Sequence, residues 1–192
     1  MIENIFKSAV IHQNKKNFSK AREIYEKLLK TNPQNLVILQ NYAILLSQIK
    51  EFKKSEDIFK KCLKIKPKDP LLLYNYGKFF HDQKIFDKAV RFYKESFNLD
   101  NKNYLAVYNM GNIFLSESKF DQAIEFFKKA IEIKFNVEVE KVATLNIKGK
   151  KKNTTIRSNG HILRTSGKRS SWKKAIITLQ KGYSIDILGG EA

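Results

Sequence analysis

Ten Lys or Arg side chains fall between Lys148 and Lys174, and no Asp or Glu interrupts them. Lys148, Lys150, Lys151 and Lys152 come first, then Arg157 and Arg164, then Lys168, Arg169, Lys173 and Lys174. Cations at this density, with no acidic neighbour to pair with, suit a polyanion: nucleic acid or an anionic membrane surface. Arginine adds bidentate contact to phosphate. Trp172 and His161 lie among the charges and could stack on an unpaired base or a ribose. Trp172 could equally anchor a strand against a core. The chemistry on offer is binding.

A second set recurs at a fixed interval. Asn41, Asn75 and Asn109 stand 34 residues apart, and Lys7 fills the slot before them. A side-chain amide both donates and accepts, so each could pair with the backbone of an extended peptide without reading its sequence. The plainer alternative is a row of ordinary polar surface residues. Tyr74 and Tyr108 flank the row as contact surface. His81 has no carboxylate or nucleophile in register beside it and reads the same way.

Catalysis finds no support. The chain lacks a nucleophile elbow, a phosphate-cradling glycine loop and a metal-spaced His or carboxylate cluster. No enzyme activity, small-molecule substrate, metal or cofactor is expected. Most Asp and Glu sit on lysine-rich helical faces, where charge pairing accounts for them. One cysteine, Cys62, excludes an internal disulfide and a cysteine-based zinc cage. No run reaches the ~18 apolar residues of a membrane helix. The first residues lack a basic leader and a small-residue cleavage site. An intracellular, cytoplasmic protein with no membrane partner is expected.

The elements that carry these residues change character near Phe135. Pro33 and Pro67 stand 34 apart, Asn101 holds the next slot and Phe135 the fourth. Blocks of 34 begin at Ile2, Leu36, Pro70 and Tyr104. Their eighth slot reads Ala9, Ala43, Gly77, Gly111, and their twentieth Ala21, Ser55, Ala89, Ala123. Their twenty-fourth reads Tyr25, Phe59, Tyr93, Phe127. Small residues let paired helices approach closely, and the aromatic fills the space between neighbouring pairs. Phe18, Phe52, Phe86 and Phe120 pin the turns within pairs, while Pro33 and Pro67 end helices by removing a backbone donor. Cys62 falls where a small buried residue is wanted. A pair cannot bury its apolar face alone, so the pairs must stack.

This pattern resembles the tetratricopeptide repeat family over residues 2–134. The resemblance implies a right-handed solenoid of four helix pairs with a concave, peptide-binding groove lined by the first helices. The groove residues would be Asn41, Asn75, Asn109, Tyr74 and Tyr108. The family's clamp for a C-terminal carboxylate needs basic groove residues, but those slots hold Phe6, Val10 and Leu71. A capping helix usually follows the last repeat in that family, and none follows Lys134.

From Val137 the pattern alternates and becomes β-branched, which predicts a strand to about Lys150. A polar basic loop follows, with Gly160 and Gly167 as turn formers. A second strand is expected over Trp172–Gln180, then a short extended tail. Residues 135–192 hold 12 basic and 4 acidic side chains, against 25 and 15 before them. The shorter part is the more charge-dense.

Val137-Glu138-Val139-Glu140, Thr144-Leu145, Ile147-Lys148-Gly149-Lys150, Trp172-Lys173-Lys174-Ala175, Thr178-Leu179, Gly182, Asp186 and Gly189-Gly190 keep their order to the end of the chain. Together they resemble the bacterial large-subunit ribosomal protein family known as L twenty-three. The resemblance implies binding to large-subunit rRNA beside the exit of the peptide tunnel, through a long basic inter-strand loop. It covers the later part of that family, and a solenoid stands where the family's first strand would be.

The expected architecture is mostly α with a small α+β end: the solenoid at 2–134, then an antiparallel β-ribbon with a long basic loop at 135–192. Helix 121–134 would serve both. A lone two-stranded ribbon is marginal in water. Val139, Leu145, Ile177 and Leu179 are therefore expected to pack it against the last repeat helix. Two functions remain open: a ribosomal rRNA-binding protein with an appended repeat scaffold, or a peptide-binding adaptor with an incidental basic tail.

Overall fold

The computed structural model describes residues 2–158, 161–168, 170 and 172–185. It divides into two compact units, Met1–Lys134 and Phe135–Ala192. The first unit is built of antiparallel helix pairs: α1 (Ile2–Asn14) with α2 (Phe18–Thr31), α3 (Leu36–Gln48) with α4 (Phe52–Ile65), α5 (Pro70–Asp82) with α6 (Phe86–Leu99), and α7 (Tyr104–Ser116) with α8 (Phe120–Phe135). Every helix start repeats at 34 residues, so the block register of the sequence is the register of the fold.

Local chemistry sets these boundaries. Asn35, Asp69 and Asn103 occupy one slot and cap α3, α5 and α7, each accepting from the backbone N–H three residues on. Such caps satisfy donors that a helix start leaves orphaned, for about 1 kcal/mol each. Pro70 sits in the first turn of α5, where its missing N–H costs nothing. Within each pair the turn passes through a left-handed residue: Lys16, Lys50, Lys84 and Ser118, with φ of 59°, 65°, 61° and 61°. L-residues reach that region only at a cost of roughly 1–2 kcal/mol.

The slot logic appears directly in the packing. Ala9, Ala43, Ala21, Ser55, Ala89, Tyr25, Phe59 and Tyr93 are all fully buried. Cys62 is also fully buried, and burial pushes its thiol up to about 11. The glycines in slot eight answer to their aromatics. A Cβ on Gly77 would lie 2.8 Å from Cδ1 of Tyr93, and one on Gly111 would lie 2.7 Å from Cε1 of Phe127. Alanine gains roughly 1 kcal/mol of helix propensity, and overpacking costs roughly 1–3 kcal/mol. Tyr93 is enclosed whereas Phe127 is half-buried and free to give. Gly77→Ala is therefore expected to destabilise by about 1 kcal/mol and Gly111→Ala to be near neutral. Paired thermal melts check this; equal shifts would contradict it.

A hydrogen-bond rule ties slots twelve and twenty-four. Tyr25 donates its hydroxyl to Oε1 of Gln13 at 2.9 Å, and the Tyr93 hydroxyl lies 3.3 Å from Nδ1 of His81. Repeats with phenylalanine in slot twenty-four carry Ser47 or Leu115 in slot twelve, where no partner is needed. His81 is thus a structural partner of a buried phenol. Burial holds its imidazole below the ordinary histidine value, so the folded state prefers it neutral. Its contribution to stability is present above the unfolded value near 6.5 and is lost as pH falls below that. His81→Gln copies the first repeat. Stability near neutral pH is expected to be kept, and the loss as pH falls below about 6.5 to shrink; denaturant titrations on both sides of that pH check it.

In the second unit, β1 (Val139–Ile147) pairs antiparallel with β4 (Trp172–Leu179), and β2 (Lys151–Ser158) pairs with β3 (His161–Lys168). The ribbon of β1 and β4 agrees with expectation. The basic segment between them goes further, since much of it is itself a paired hairpin. Gly167, expected in a turn, lies inside β3 opposite Lys152. Gly160 lies outside the described residues, as do Asp186–Ala192, including the Gly189-Gly190 end.

The register also corrects the expected apolar face. Val142 opposes Ile177 and Leu145 opposes Lys174, so Leu145 and Ile177 lie on opposite faces of the ribbon. A bulge between Val139 and Lys141 brings Val139, opposite Leu179, onto the face of Val142 and Ile177. Val142, not Leu145, shares a face with Val139, Ile177 and Leu179. Both Leu145 and Ile177 are exposed, at 47% and 38%.

Candidate nucleic-acid interface and repeat groove

The cationic residues are distributed along both strand pairs and the link between them. Lys148 and Lys150 are exposed in the short link between β1 and β2. Lys174 is exposed in β4, opposite Leu145, and Lys173 and Trp172 oppose Asn146 and Ile147. Lys151 stands opposite Lys168 at the base of the inner hairpin. Pleating places Lys151, Arg157, Arg164 and Lys168 at positions of one face, and Lys152 with Ile156, Leu163 and His161 at positions of the other. Arg169 lies outside the described residues.

Like charges directly opposed across a ladder destabilise it. Lys151 and Lys168 are register partners, and no carboxylate follows Glu140 until Asp186. Among the described residues no group of His, Cys, Asp and Glu could hold a metal ion.

The groove residues are placed as follows. Asn41 donates to the Val37 carbonyl of its own helix at 2.8 Å. Asn75 reaches Oε1 of Gln40 at a long 3.5 Å, and Asn109 donates to the Tyr74 hydroxyl at 3.1 Å. In the last two cases slot six grips slot five of the repeat before. Asn41 has Phe6 in that position and turns to its own backbone instead. The row therefore links repeats, while an amide keeps further hydrogen-bonding capacity for a ligand. The Tyr74 ring packs 5.7 Å from Tyr93, and Tyr108 is exposed beside Phe127. Asn75 also lines a pocket of about 230 Å³ between α3 and α5, with Phe52, Phe59 and Phe79 in its wall and Lys50 and Lys78 at its rim.

Residues 126–187 match the family described as Ribosomal protein L23. The basic ribbon is similar to a ribosomal protein. Large ribosomal subunit protein uL23 of Pelodictyon phaeoclathratiforme is 49% identical over 63 residues, covering 33% of this chain and 57% of that protein. The uL23 protein of Tolumonas auensis is 48% identical over 63 residues, covering 33% and 54%. The chain thus spans little more than half the length of these relatives.

Three tetratricopeptide repeat families match residues 15–74, 73–103 and 104–136. The last of these overlaps the ribosomal match at 126–136, the C-terminal part of α8 and the residue after it. Among solved structures, Pseudomonas aeruginosa PilF superposes with a TM-score of 0.62 at 22% identity, over 69% of this chain and 60% of that one. MamA from Desulfovibrio magneticus gives 0.60 at 18%, over 70% and 76%. These likenesses establish the repeat fold. Among the described residues, no helix is long and apolar enough to cross a membrane.

Proposed function

We propose that this chain is a ribosome-associated protein that binds large-subunit rRNA through residues 135–192 and acts in translation. The repeat solenoid is an appended scaffold for a protein partner. The observation that carries the reading is the coincidence of the ribosomal match at 126–187 with the cationic ribbon. Cations without local carboxylates need an anionic partner, and phosphate is the one that strand-spaced Lys and Arg fit best. The double pairing of β1 with β4 and β2 with β3 supports an extended RNA-following shape. On this reading the chain acts in the cytoplasm, on the ribosome, without enzymatic chemistry.

Co-sedimentation with purified large subunits across a salt series tests the proposal. The full chain should pellet with subunits at low salt. A variant with Lys148, Lys150, Lys151, Lys152, Lys168, Lys173 and Lys174 changed to Gln should stay in the supernatant. If that variant pelleted like the parent, the ribbon would not be the rRNA site.

A further inference from the structure

The turns within the helix pairs form a second cationic line, in the repeats. First helices lie side by side in one direction, so these turns fall along one edge of the solenoid. Each of the first three turns carries the same order: a left-handed lysine, then a phenylalanine two residues on, then a second lysine after two more. The sets are Lys16, Phe18, Lys20; Lys50, Phe52, Lys54; and Lys84, Phe86, Lys88. All six lysines are exposed, and each phenylalanine keeps part of its ring accessible. Among the described residues, Lys16, Lys50 and Lys84 enter no ion pair.

The backbone makes the choice of lysine informative. Glycine adopts positive φ without strain, yet three repeats place a long cation there. Lys15 and Lys53 add to the same edge. Its acidic residues over these repeats are Glu51, Asp82 and Asp87; Glu51 is already held by Arg22 and Lys54, and Asp82, which lines the adjacent pocket, lies 3.8 Å from Lys78. Beside Lys50 and Phe52 opens the aromatic-walled pocket of about 230 Å³. Neighbouring helices pack roughly 10 Å apart, so cation and ring alternate at a regular interval. Point charges interleaved with aromatic faces are the means by which single-stranded RNA is held without reading its sequence.

We propose that this edge, from Lys16 to Lys88, is a second RNA-binding surface, engaging a single-stranded segment through phosphate contacts and base stacking. It rests on the reading of the chain as an rRNA-binding protein, and its test separates the two. Lys16→Gly, Lys50→Gly and Lys84→Gly together remove three charges at positions that glycine occupies freely, so folding is expected to be kept. Binding of the full chain to a single-stranded oligouridylate is measured against salt. Every phosphate left without its lysine lowers the slope of log affinity on log salt by about 0.7, so the triple variant should fall short of the parent by roughly 2 units. The parent should then lose roughly 15-fold more affinity than the variant between 50 and 200 mM salt.

An unchanged slope would overturn the edge. So would an equal drop when Lys30, Lys64 and Lys68, which leave the same charge deficit on the opposite edge, are changed to Gln. The seven-residue ribbon variant is measured in parallel. If it keeps the parent's slope while the glycine variant loses its share, the ribbon reading fails and the edge stands.

Discussion

Changing Lys148, Lys150, Lys151, Lys152, Lys168, Lys173 and Lys174 to Gln is expected to abolish most of the salt dependence of rRNA binding. Proteins with six to ten phosphate contacts lose roughly 10³–10⁵-fold in affinity between 50 and 200 mM salt. The parent chain should fall within that range, and the variant should lose roughly 10³-fold less, keeping the share of the remaining arginines and of the repeat edge. Filter binding to an rRNA fragment across salt reads both numbers. A variant slope matching the parent's would remove the ribbon from the binding site.

The size of this effect follows from arrangement more than from number. Isolated surface lysines gain little, because a neighbouring carboxylate or mobile salt already screens them. Ion pairs of that kind are common in the first unit, as with Lys27 and Glu23 or Lys60 and Glu56. The ribbon holds no acidic residue from Lys141 to Ile185. Pairing of Lys151 against Lys168 even opposes two cations across the ladder.

The repeats were legible because their signals are local and periodic. Ala9, Gly77 and Gly111 mark close helix approaches, and Tyr25, Phe59 and Tyr93 mark the fill between pairs, at an interval that survives any register error. The inner hairpin was not, because Lys151–Ser158 and His161–Lys168 are mostly Lys, Arg, Thr, Ser and Asn. Their apolar residues are Ile156 and the adjacent Ile162 and Leu163, which do not make the alternation by which a strand is recognised, and main-chain pairing leaves no other trace in composition. The bulge near Val139 was equally hidden, and it brings Val139 onto the face that Val142, rather than Leu145, shares with Ile177. The roles of Gln13 and His81 could have been found. The longer polar side chains in slot twelve, Gln13 and His81, accompany tyrosine in slot twenty-four, and the shorter Ser47 and the apolar Leu115 accompany phenylalanine.

Phe59→Ala should cost about 3–5 kcal/mol, the range for emptying a buried aromatic site. Phe59 is fully buried on α4 and stacks on Tyr76 of α5 at 5.1 Å, with Phe79 5.5 Å away. The ring therefore belongs to two repeats at once. Solenoid stability is a sum of repeat terms and nearest-neighbour interfaces, so loss at one interface weakens coupling across it. Collapse cannot heal the site easily, because Tyr76 is itself held against Phe80 and Phe92 at 4.7 and 4.6 Å. Denaturant unfolding should show a lower midpoint together with a broader transition, as repeats one and two part company with three and four. A lower midpoint with unchanged sharpness would mean that Phe59 stabilises its own pair alone. A cost below about 1 kcal/mol would mean that slot twenty-four does not join the repeats at all.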